Sequence, residues 1–600
     1  MISLHMNLCN AVLSIPNANK VATHRLPKLN AHYRTLRHNT TLQRHAFQPS
    51  AMMEDSSSSA KKMRPIITPF SPYMWGDIFS TFSFDHQVQQ KYTEEIEELK
   101  KKARNMLMVA TSTQVLILVD ALERLGLAYH FEAEIEDKLK QIYAYKDEER
   151  NDDLFTTALC FRLLRQHQYH VSENVFEKFV EKDNKLKECH HSDIEGLLCL
   201  YEAAQVRVEN ENVLEEAAAF TRDHLHCMQP LMDSPLKKKV QHALKYPLHR
   251  TLGILTLRSH IDIYEEDDSR DELVLRLSKV NFNFLQNIYR NELFELTEWW
   301  NKLDLASKVP YFRDRLVECY SWALPYHFEP QYALARLMIT KYYTVATALD
   351  DTYDNYATFE EIQLFTQALE RLNIDEIEML PHNFLKLIYK CILSFSKEFE
   401  EEAEKQGKAY AVPYYIEEMK HVGRGYALEQ KWSLKQQIPS FQEYIKNTRI
   451  TGHMYVSLII GVTMIKSSTK ETIDWVLSDS DIFIYASDVA RLLDDLASHQ
   501  RDSKDGTMLT CMDYYMIEKD VTMQEAQSAF KELIEENWKR VNAAWVDSCT
   551  EQSKEIVVQI LDLARICEIY YKDEEDLFTY PDQKNLAPII AGLFLDPILI

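Results

Sequence analysis

Apolar residues recur at intervals of three and four along most of this chain, as in residues 92–104 and 556–571. That spacing places the apolar side chains on one face of an α-helix. Glycine and proline, which end helices and shape the turns between strands, are scarce, at 11 and 18 of 600 residues. The pattern therefore predicts an all-α protein.

The helical pattern runs in two blocks, and 600 residues are enough for two hydrophobic cores. We expect an N-terminal helical domain over residues 85–275 and a C-terminal one over residues 276–600. Residues 54–84 form a polar linker and an extended arm, in which three prolines exclude a helix. The longest strongly apolar stretch, residues 454–465, is too short to span a bilayer and predicts a buried helix.

Residues 1–53 differ from the rest of the chain in composition. They contain six Lys or Arg, five His and no acidic residue, since the first acid is Glu54. A basic, acid-free leader without a long apolar core is typical of an organellar transit peptide, which predicts a plastid location. Translation from Met52 or Met53 would omit the leader, and we would then expect a cytoplasmic protein.

The formal net charge of −24 argues against nucleic acid and anionic membranes as partners. The ten cysteines show no CxxC pair and no zinc-like spacing, which fits reduced thiols in an intracellular compartment. We also expect the protein to be a monomer.

Acidic residues cluster at the end of an apolar helical segment, in Asp350-Asp351-Thr352-Tyr353-Asp354. Asp350 and Asp354 are four residues apart and share a helix face, so their carboxylates repel each other unless a cation lies between them. Mg²⁺ takes such oxygen ligands and is usually shared with a phosphate group. The alternative interpretation is an acidic, solvated helix end.

A second acidic stripe lies on a later helical segment. Asp494, Ser498 and Asp502 recur at intervals of four, and Arg491 precedes them on the same face. Most flanking residues are apolar, and a helix that is buried except for one polar stripe usually lines a cavity. The stripe suits a cation held against an anionic substrate group, whereas the alternative is an exposed helix with internal salt bridges.

The cationic pair Arg313 and Arg315 adds a third element. Arginine binds phosphate through two parallel hydrogen bonds, although two arginines alone are more typical of a protein surface. Combined with Arg491 and the two carboxylate stripes, they match a diphosphate held by several Mg²⁺ ions. Aromatic residues make up 11% of the chain, and a cavity walled by aromatic rings stabilises a carbocation. Loss of diphosphate to leave a carbocation is the best-matched chemistry.

With these motifs the chain resembles the plant class I terpene synthases, from about Arg64 to Ile600. The resemblance also rests on the Arg-Pro to Trp-Gly-Asp arm at residues 64–77, on Trp322 and on the C-terminal segment 571–579. It implies two α-helical domains: an N-terminal one without a catalytic role, and a C-terminal helical bundle that encloses the active site.

The resemblance also implies a cofactor and a set of site residues. The cofactor would be three Mg²⁺ ions, for which Mn²⁺ can substitute, and the substrate an isoprenyl diphosphate. The implied metal residues are Asp350, Asp351, Asp354, Asp494, Ser498 and Asp502, of which Asp351 would support the others. The implied catalytic residues are Arg313, Arg315, Asp350, Asp354, Arg491 and Asp494. The implied pocket residues are Trp322, Thr451, Tyr571 and Phe578.

Three positions depart from the family pattern: Asp502 replaces a usual Glu, Ser498 is a common variant of Thr, and Phe578 replaces a frequent Tyr. The arm has Arg64-Pro65 and not a tandem Arg, which favours the clade of sesquiterpene synthases and the substrate farnesyl diphosphate. The plastid-type leader favours geranyl, geranylgeranyl or geranylfarnesyl diphosphate instead.

Two alternative functions stay open at this point. A chain-elongating prenyltransferase also uses Asp-rich helices and Mg²⁺, but it would require isopentenyl diphosphate as a second substrate. A non-catalytic helical scaffold would release no diphosphate.

Overall fold

The structure is a computed structural model that describes residues 70–144, 153–435, 437–504, 509–548, 553–581 and 585–600. All of these residues belong to one compact unit, Arg64–Ile600. The predicted leader (residues 1–53), the linker and the start of the arm lie outside the described residues, and so does the side chain of Asp502. The transit peptide and the plastid location therefore stay predictions.

α-Helices form nearly all of the regular structure. The first block contains α1 (His86–Val109), α2 (Ser112–Arg124), α3 (Glu132–Ala144), α4 (Leu154–Gln166), α5 (Ile194–Ala204), α6 (Asn212–Met228), α7 (Leu236–Lys245) and α8 (Gly253–Glu265). Within the described ranges there is no β-strand, only an isolated bridge between Val180 and Leu186. The prediction of an all-α protein is confirmed.

The second block begins with the longest helix, α9 (Glu272–Leu303), whose N-terminus is capped by the Asp271 carboxylate. The predicted domain boundary at 275/276 falls in the first turn of α9, and the boundaries stay predictions. The helices that follow are α10 (Leu305–Lys308), α11 (Leu316–Ser321), α12 (Ala333–Asp351), α13 (Phe359–Arg371), α14 (Asn383–Lys405), α15 (Val412–Lys435), α16 (Phe441–Thr451), α17 (Met454–Thr463), α18 (Lys470–Val476), α19 (Asp481–Lys504), α20 (Cys511–Lys519), α21 (Met523–Asp547), α22 (Lys554–Tyr570) and α23 (Leu586–Phe594).

Buried apolar side chains form two separate clusters. The larger cluster extends from Trp75 to Ile598 and joins the first helices to the C-terminal bundle. The smaller cluster lies between Leu154 and Ala243, on α4 to α7. The N-terminal block therefore contains a core of its own beside the core that it shares with the bundle.

The helices of the C-terminal bundle pack against one another in several pairs. α19 packs against α21 and α22, α12 packs against α17, and α15 packs against α16. α17 is buried, which confirms the helix predicted from residues 454–465. No helix in the described part of the chain is long and apolar enough to cross a membrane.

Candidate active site

A cavity of about 330 Å³ lies inside the C-terminal bundle. Most residues singled out in the sequence line it: Arg313, Trp322, Asp350, Asp354, Thr451, Arg491, Asp494, Ser498, Tyr571 and Phe578. The two acidic stripes, which are 140 positions apart in the sequence from Asp354 to Asp494, therefore face a common space. Arg315 and Asp351 do not line it.

The first acidic group lies where α12 ends and widens into a π-helical turn, Thr352–Tyr356. This turn places Asp354 beside the cavity, and π turns of this kind are frequent at functional sites. The ring of Tyr356 stacks on Tyr311 with centroids 3.9 Å apart, and the Tyr311 hydroxyl is 3.1 Å from the Thr352 hydroxyl. The unusual turn is thus held by packing against the segment before α11.

The carboxylates of Asp350 and Asp351 are held differently. Asp350 accepts hydrogen bonds from Arg313 Nη2 at 2.6 Å and from the Tyr426 hydroxyl at 2.6 Å. Asp351 is fully buried and accepts from the main-chain N–H of Arg313 at 2.7 Å and from Asn355 Nδ2 at 3.1 Å. Burial raises the pKa of Asp351. Its position matches a supporting role and not that of a cavity-lining ligand.

The second acidic group lies on α19. Nη2 of Arg491 lies 2.6 Å from Asp494 Oδ2, and its Nε lies 2.8 Å from Asp495 Oδ2. Burial raises the pKa of Asp494 to about 7, although the Arg491 charge opposes that shift. The Ser498 hydroxyl is buried and makes no hydrogen bond within the described part of the chain. The prediction for Asp502 falls on a side chain outside the described residues.

The side chains of the two arginines in the cationic pair lie in different environments. Arg313 faces the cavity, where its guanidinium lies 5.5 Å from the ring centres of both Phe70 and Phe578. Arg315 is buried and donates to the carbonyl oxygens of Phe578 at 3.0 Å and of Ser71 at 2.8 Å. The expectation that Arg315 faces the diphosphate is therefore not met in this geometry, because its hydrogen bonds go to main-chain carbonyls.

Aromatic rings form one wall of the cavity. The ring of Trp322 lies 6.3 Å from Phe578 in an edge-to-face arrangement and 6.2 Å from Tyr571. Such rings present electron-rich faces and no strong nucleophile. Thr451, the last residue of α16, lines the cavity beside the break before α17.

Several cavity residues were not anticipated from the sequence, among them Tyr426, Glu429 and His453. Burial raises the pKa of Glu429 to about 7, while Thr451 and Asn447 donate to its carboxylate at 2.8 Å. Tyr426 and Glu429 are three residues apart on α15 and so share a face. That spacing was the available signal, but an isolated Tyr and Glu on a helix have no distinctive pattern.

The oxygen-rich lining fits a hard divalent cation such as Mg²⁺. The Ser498 hydroxyl supplies a buried oxygen without a hydrogen bond in the described part of the chain, beside carboxylates on two helices. Within that same part, no three Asp, Glu, His or Cys side chains already converge as a metal site. The reason is visible, since Arg313 and Arg491 hold the carboxylates of Asp350 and Asp494.

Two family models match the chain. The model "Terpene synthase, N-terminal domain" matches residues 74–244, and "Terpene synthase family, metal binding domain" matches residues 301–540. Gamma-cadinene synthase from Ocimum basilicum is 47% identical over 90% of this chain and 99% of its own length. Tau-cadinol synthase from Lavandula angustifolia is 45% identical over 90% of this chain and 98% of its own length.

Solved structures share the same architecture. Limonene synthase with 2-fluorolinalyl diphosphate has a TM-score of 0.83 and 28% identity, covering 90% of this chain and all of that one (100%). Isoprene synthase from Populus x canescens, solved with three Mg²⁺ ions and dimethylallyl-S-thiolodiphosphate, has a TM-score of 0.79 and 29% identity. That match covers 85% of this chain and 97% of the other.

Proposed function

This chain belongs to the terpene synthase family, and on that premise we propose that it converts farnesyl diphosphate into a sesquiterpene and releases diphosphate. It is an enzyme with the two-domain class I terpene synthase fold, a lyase that acts on an isoprenyl diphosphate. The observation that carries the proposal is that two arginine–carboxylate groups, Arg313 with Asp350 and Arg491 with Asp494, face one aromatic cavity.

The carboxylates would hold Mg²⁺, with Mn²⁺ as a substitute. Asp350 and Asp354 would hold one part of the metal cluster, and Asp494, Ser498 and Asp502 the other. Isoprene synthase with three Mg²⁺ ions supports a cluster of three. When bound, the ions supply Lewis-acid chemistry at the diphosphate oxygens.

Arg313 and Arg491 neutralise the carboxylates until substrate arrives. Each guanidinium then turns from its Asp partner to the diphosphate, where two parallel N–H groups suit phosphate oxygens. Arg315 contributes indirectly, because its hydrogen bonds hold the carbonyls of Phe578 and Thr579 next to the cavity. We assign it a positioning role.

The aromatic wall receives the other end of the substrate. Trp322, Tyr571 and Phe578 exclude water and place ring faces next to a developing allylic cation. The surrounding tyrosines stay neutral, since burial raises the pKa of Tyr571 well above its ordinary value. The cation therefore rearranges without meeting a strong nucleophile, and the proton that it finally loses passes to the released diphosphate.

A C15 substrate is favoured by two observations. The arm carries Arg64-Pro65 and no tandem Arg, and the relatives include gamma-cadinene and gamma-curcumene synthases at 47% and 45% identity. The acid-free leader supports import into plastids, where geranyl, geranylgeranyl or geranylfarnesyl diphosphate would be the competing substrates. We further propose that the enzyme is a monomer.

The test is incubation with each of the four diphosphates, with and without isopentenyl diphosphate, followed by gas chromatography–mass spectrometry. We expect a C15 product from farnesyl diphosphate alone, loss of activity in a chelator, and recovery with Mg²⁺. Dependence on isopentenyl diphosphate would identify a chain-elongating prenyltransferase instead, and absence of diphosphate release a non-catalytic scaffold. Fluorescent fusions of the full chain and of a chain starting at Met53 test the location, and light scattering tests the monomer.

A further inference from the structure

His453 lies at the break between α16 and α17, and both of its ring nitrogens have partners. Nδ1 is 2.6 Å from the Tyr342 hydroxyl, and Nε2 is 3.0 Å from the Tyr426 hydroxyl. The Tyr426 hydroxyl is in turn 2.6 Å from Asp350 Oδ1 and 3.0 Å from the Thr451 carbonyl oxygen. A continuous hydrogen-bonded chain therefore leads from Tyr342 to Asp350.

The direction of each hydrogen bond follows from counting protons. The Tyr426 hydroxyl has a single proton, and the Asp350 and Thr451 oxygens can only accept it. In its third contact, with His453, the Tyr426 oxygen must therefore accept a hydrogen bond, which places a proton on His453 Nε2. Burial lowers the pKa of His453 to about 4, so the ring is neutral, and Nδ1 accepts the Tyr342 proton.

The backbone explains why a histidine can occupy this break. His453 has φ +58°, in the left-handed region, where His is one of the residue types found more often than most. Its N–H bonds to the Ile450 carbonyl at 3.0 Å, and its carbonyl accepts from Ser457 at 3.0 Å. These bonds fix the backbone at the break, and the contacts of the ring with the Tyr342 and Tyr426 hydroxyls hold it between α12 and α15.

Tyr426 is also constrained from its other side. Its ring stacks on Tyr353, inside the acidic motif, with centroids 4.8 Å apart and planes 15° apart. The plane of the phenol is therefore fixed, and its hydroxyl can direct its proton either to Asp350 or to the Thr451 carbonyl. The N–H of His453 occupies the remaining position around the hydroxyl oxygen, so the Tyr426 proton cannot turn to the histidine and stays available to Asp350 or Thr451.

We propose that His453 is a positioning residue for Asp350, which it orients through Tyr426. The relay fixes Oδ1 of Asp350 and leaves Oδ2 to exchange between Arg313, 2.6 Å away, and a divalent cation. This inference rests on the proposed function, since it concerns the metal-binding role of Asp350. Replacing a residue that holds a metal ligand in place commonly lowers metal affinity or activity by roughly 10- to 100-fold.

The decisive experiment replaces His453 by Gly, which accepts the positive φ and leaves room for an added ring. Binding of Mg²⁺ with inorganic diphosphate is measured by calorimetry, beside the kinetics with farnesyl diphosphate. We expect His453→Gly to weaken Mg²⁺ binding about 10- to 100-fold. Imidazole should restore much of it, whereas 1-methylimidazole, which has no N–H, should not. Equal rescue by both compounds, or Mg²⁺ affinity within about twofold of wild type, would overturn the proposal.

Two further variants keep the test independent of folding. His453→Gln retains one donor and one acceptor and should stay within about fivefold of wild type. Tyr426→Phe should weaken Mg²⁺ binding as much as His453→Gly, and the double variant no more than either one, because both act through one hydroxyl. Multiplied losses in the double variant would overturn the relay.

The controls separate this inference from the proposed function. His249→Gln alters another buried histidine, bonded to Asn542 at 2.8 Å and away from the cavity, and should leave Mg²⁺ binding unchanged. Asp350→Asn should abolish binding of Mg²⁺ with diphosphate. If Asp350→Asn binds normally, the proposed metal site is wrong; if only the His453 and Tyr426 variants bind normally, the relay alone is wrong.

Discussion

Arg313 holds two consecutive carboxylates: its Nη2 lies 2.6 Å from Asp350 Oδ2, while Asp351 Oδ2 accepts both from its main-chain N–H at 2.7 Å and from its Nε at 3.2 Å. The guanidinium contacts can be exchanged for substrate, whereas the main-chain N–H keeps its bond to Asp351 when the guanidinium moves. The guanidinium can therefore leave Asp350 without releasing the end of α12.

Arg313→Lys tests this division. Lysine retains the charge and the main-chain bond to Asp351 but loses the planar fork and its contacts with the Phe70 and Phe578 rings. We expect kcat to fall about 100- to 1,000-fold with little change in melting temperature. Arg276→Lys, in a surface pair with Glu95 at 2.7 Å, is the matched control and should keep its kcat. A kcat within a few fold of wild type for Arg313→Lys would contradict the assignment.

Glu429→Gln should stabilise the metal-free protein at high pH. Burial raises the pKa of Glu429 from 4.5 to about 7, so its ionisation costs more in the folded state than in the unfolded state. The wild-type free energy of unfolding should therefore fall relative to the variant as pH rises from about 4.5 to about 7, by about 3 kcal/mol in total.

Urea unfolding of both proteins at pH 5 and pH 8, in a chelator, measures this difference. Glu378→Gln removes the same charge from an exposed side chain (85% accessible) and serves as the control. A stability gap between Glu429→Gln and wild type that is no larger at pH 8 than at pH 5 would refute the prediction.

Arg315→Met should loosen the C-terminal segment. Arg315 donates to the carbonyls of Phe578, Thr579 and Ser71, and its loss leaves these acceptors buried. We expect a loss of about 2–3 kcal/mol in stability and faster hydrogen exchange in residues 571–581. Arg276→Lys, whose pair with Glu95 lies away from this segment, should not change that exchange. Unaltered exchange in Arg315→Met would show that other contacts hold the segment.

Gly461→Ala should disturb the packing beside Tyr343, a cavity residue. An added Cβ would lie 2.3 Å from the Tyr326 ring, and the Tyr326 hydroxyl is 3.1 Å from that of Tyr343. We expect a loss of about 1–3 kcal/mol in stability and an altered ratio of products. Gly592→Ala meets no atom closer than 3.8 Å and should be neutral or slightly stabilising. Product analysis and thermal melting distinguish the Gly461→Ala and Gly592→Ala variants. An unchanged product ratio in Gly461→Ala would show that Tyr326 does not affect product specificity.

The all-α fold and the two acidic groups could be predicted from the sequence because both depend on local periodicity. Asp350 with Asp354, and Asp494 with Ser498, are spaced at helical intervals that any helix would bring to one side. Their meeting in one cavity required only that each helix be apolar elsewhere. Pattern and structure agree at Asp494 and Ser498, whereas Asp354 lies in a π turn that the sequence did not predict.

The directions of Arg315 and Asp351 could not be predicted in this way. Asp351 is one position and Arg315 two positions from a residue that faces the cavity, and such a step along the chain turns a side chain to a different environment. Tyr426 and His453 depend on tertiary contacts between α12, α15 and α17, which no local pattern records. The least predictable residues are therefore those that hold other residues in place.

The wide turn at Thr352–Tyr356 also bears on protein design. A π turn has about 4.4 residues per revolution, whereas an α-helix has 3.6. If the five residues of the acidic motif were transferred to an ideal α-helix, the Asp354 side chain would therefore point in a different direction. A transplant that reproduces this arrangement must carry the stacked pair Tyr311 and Tyr356 with it. A design that reuses this metal-binding geometry must therefore include two separate segments of the chain and not only the short acidic motif.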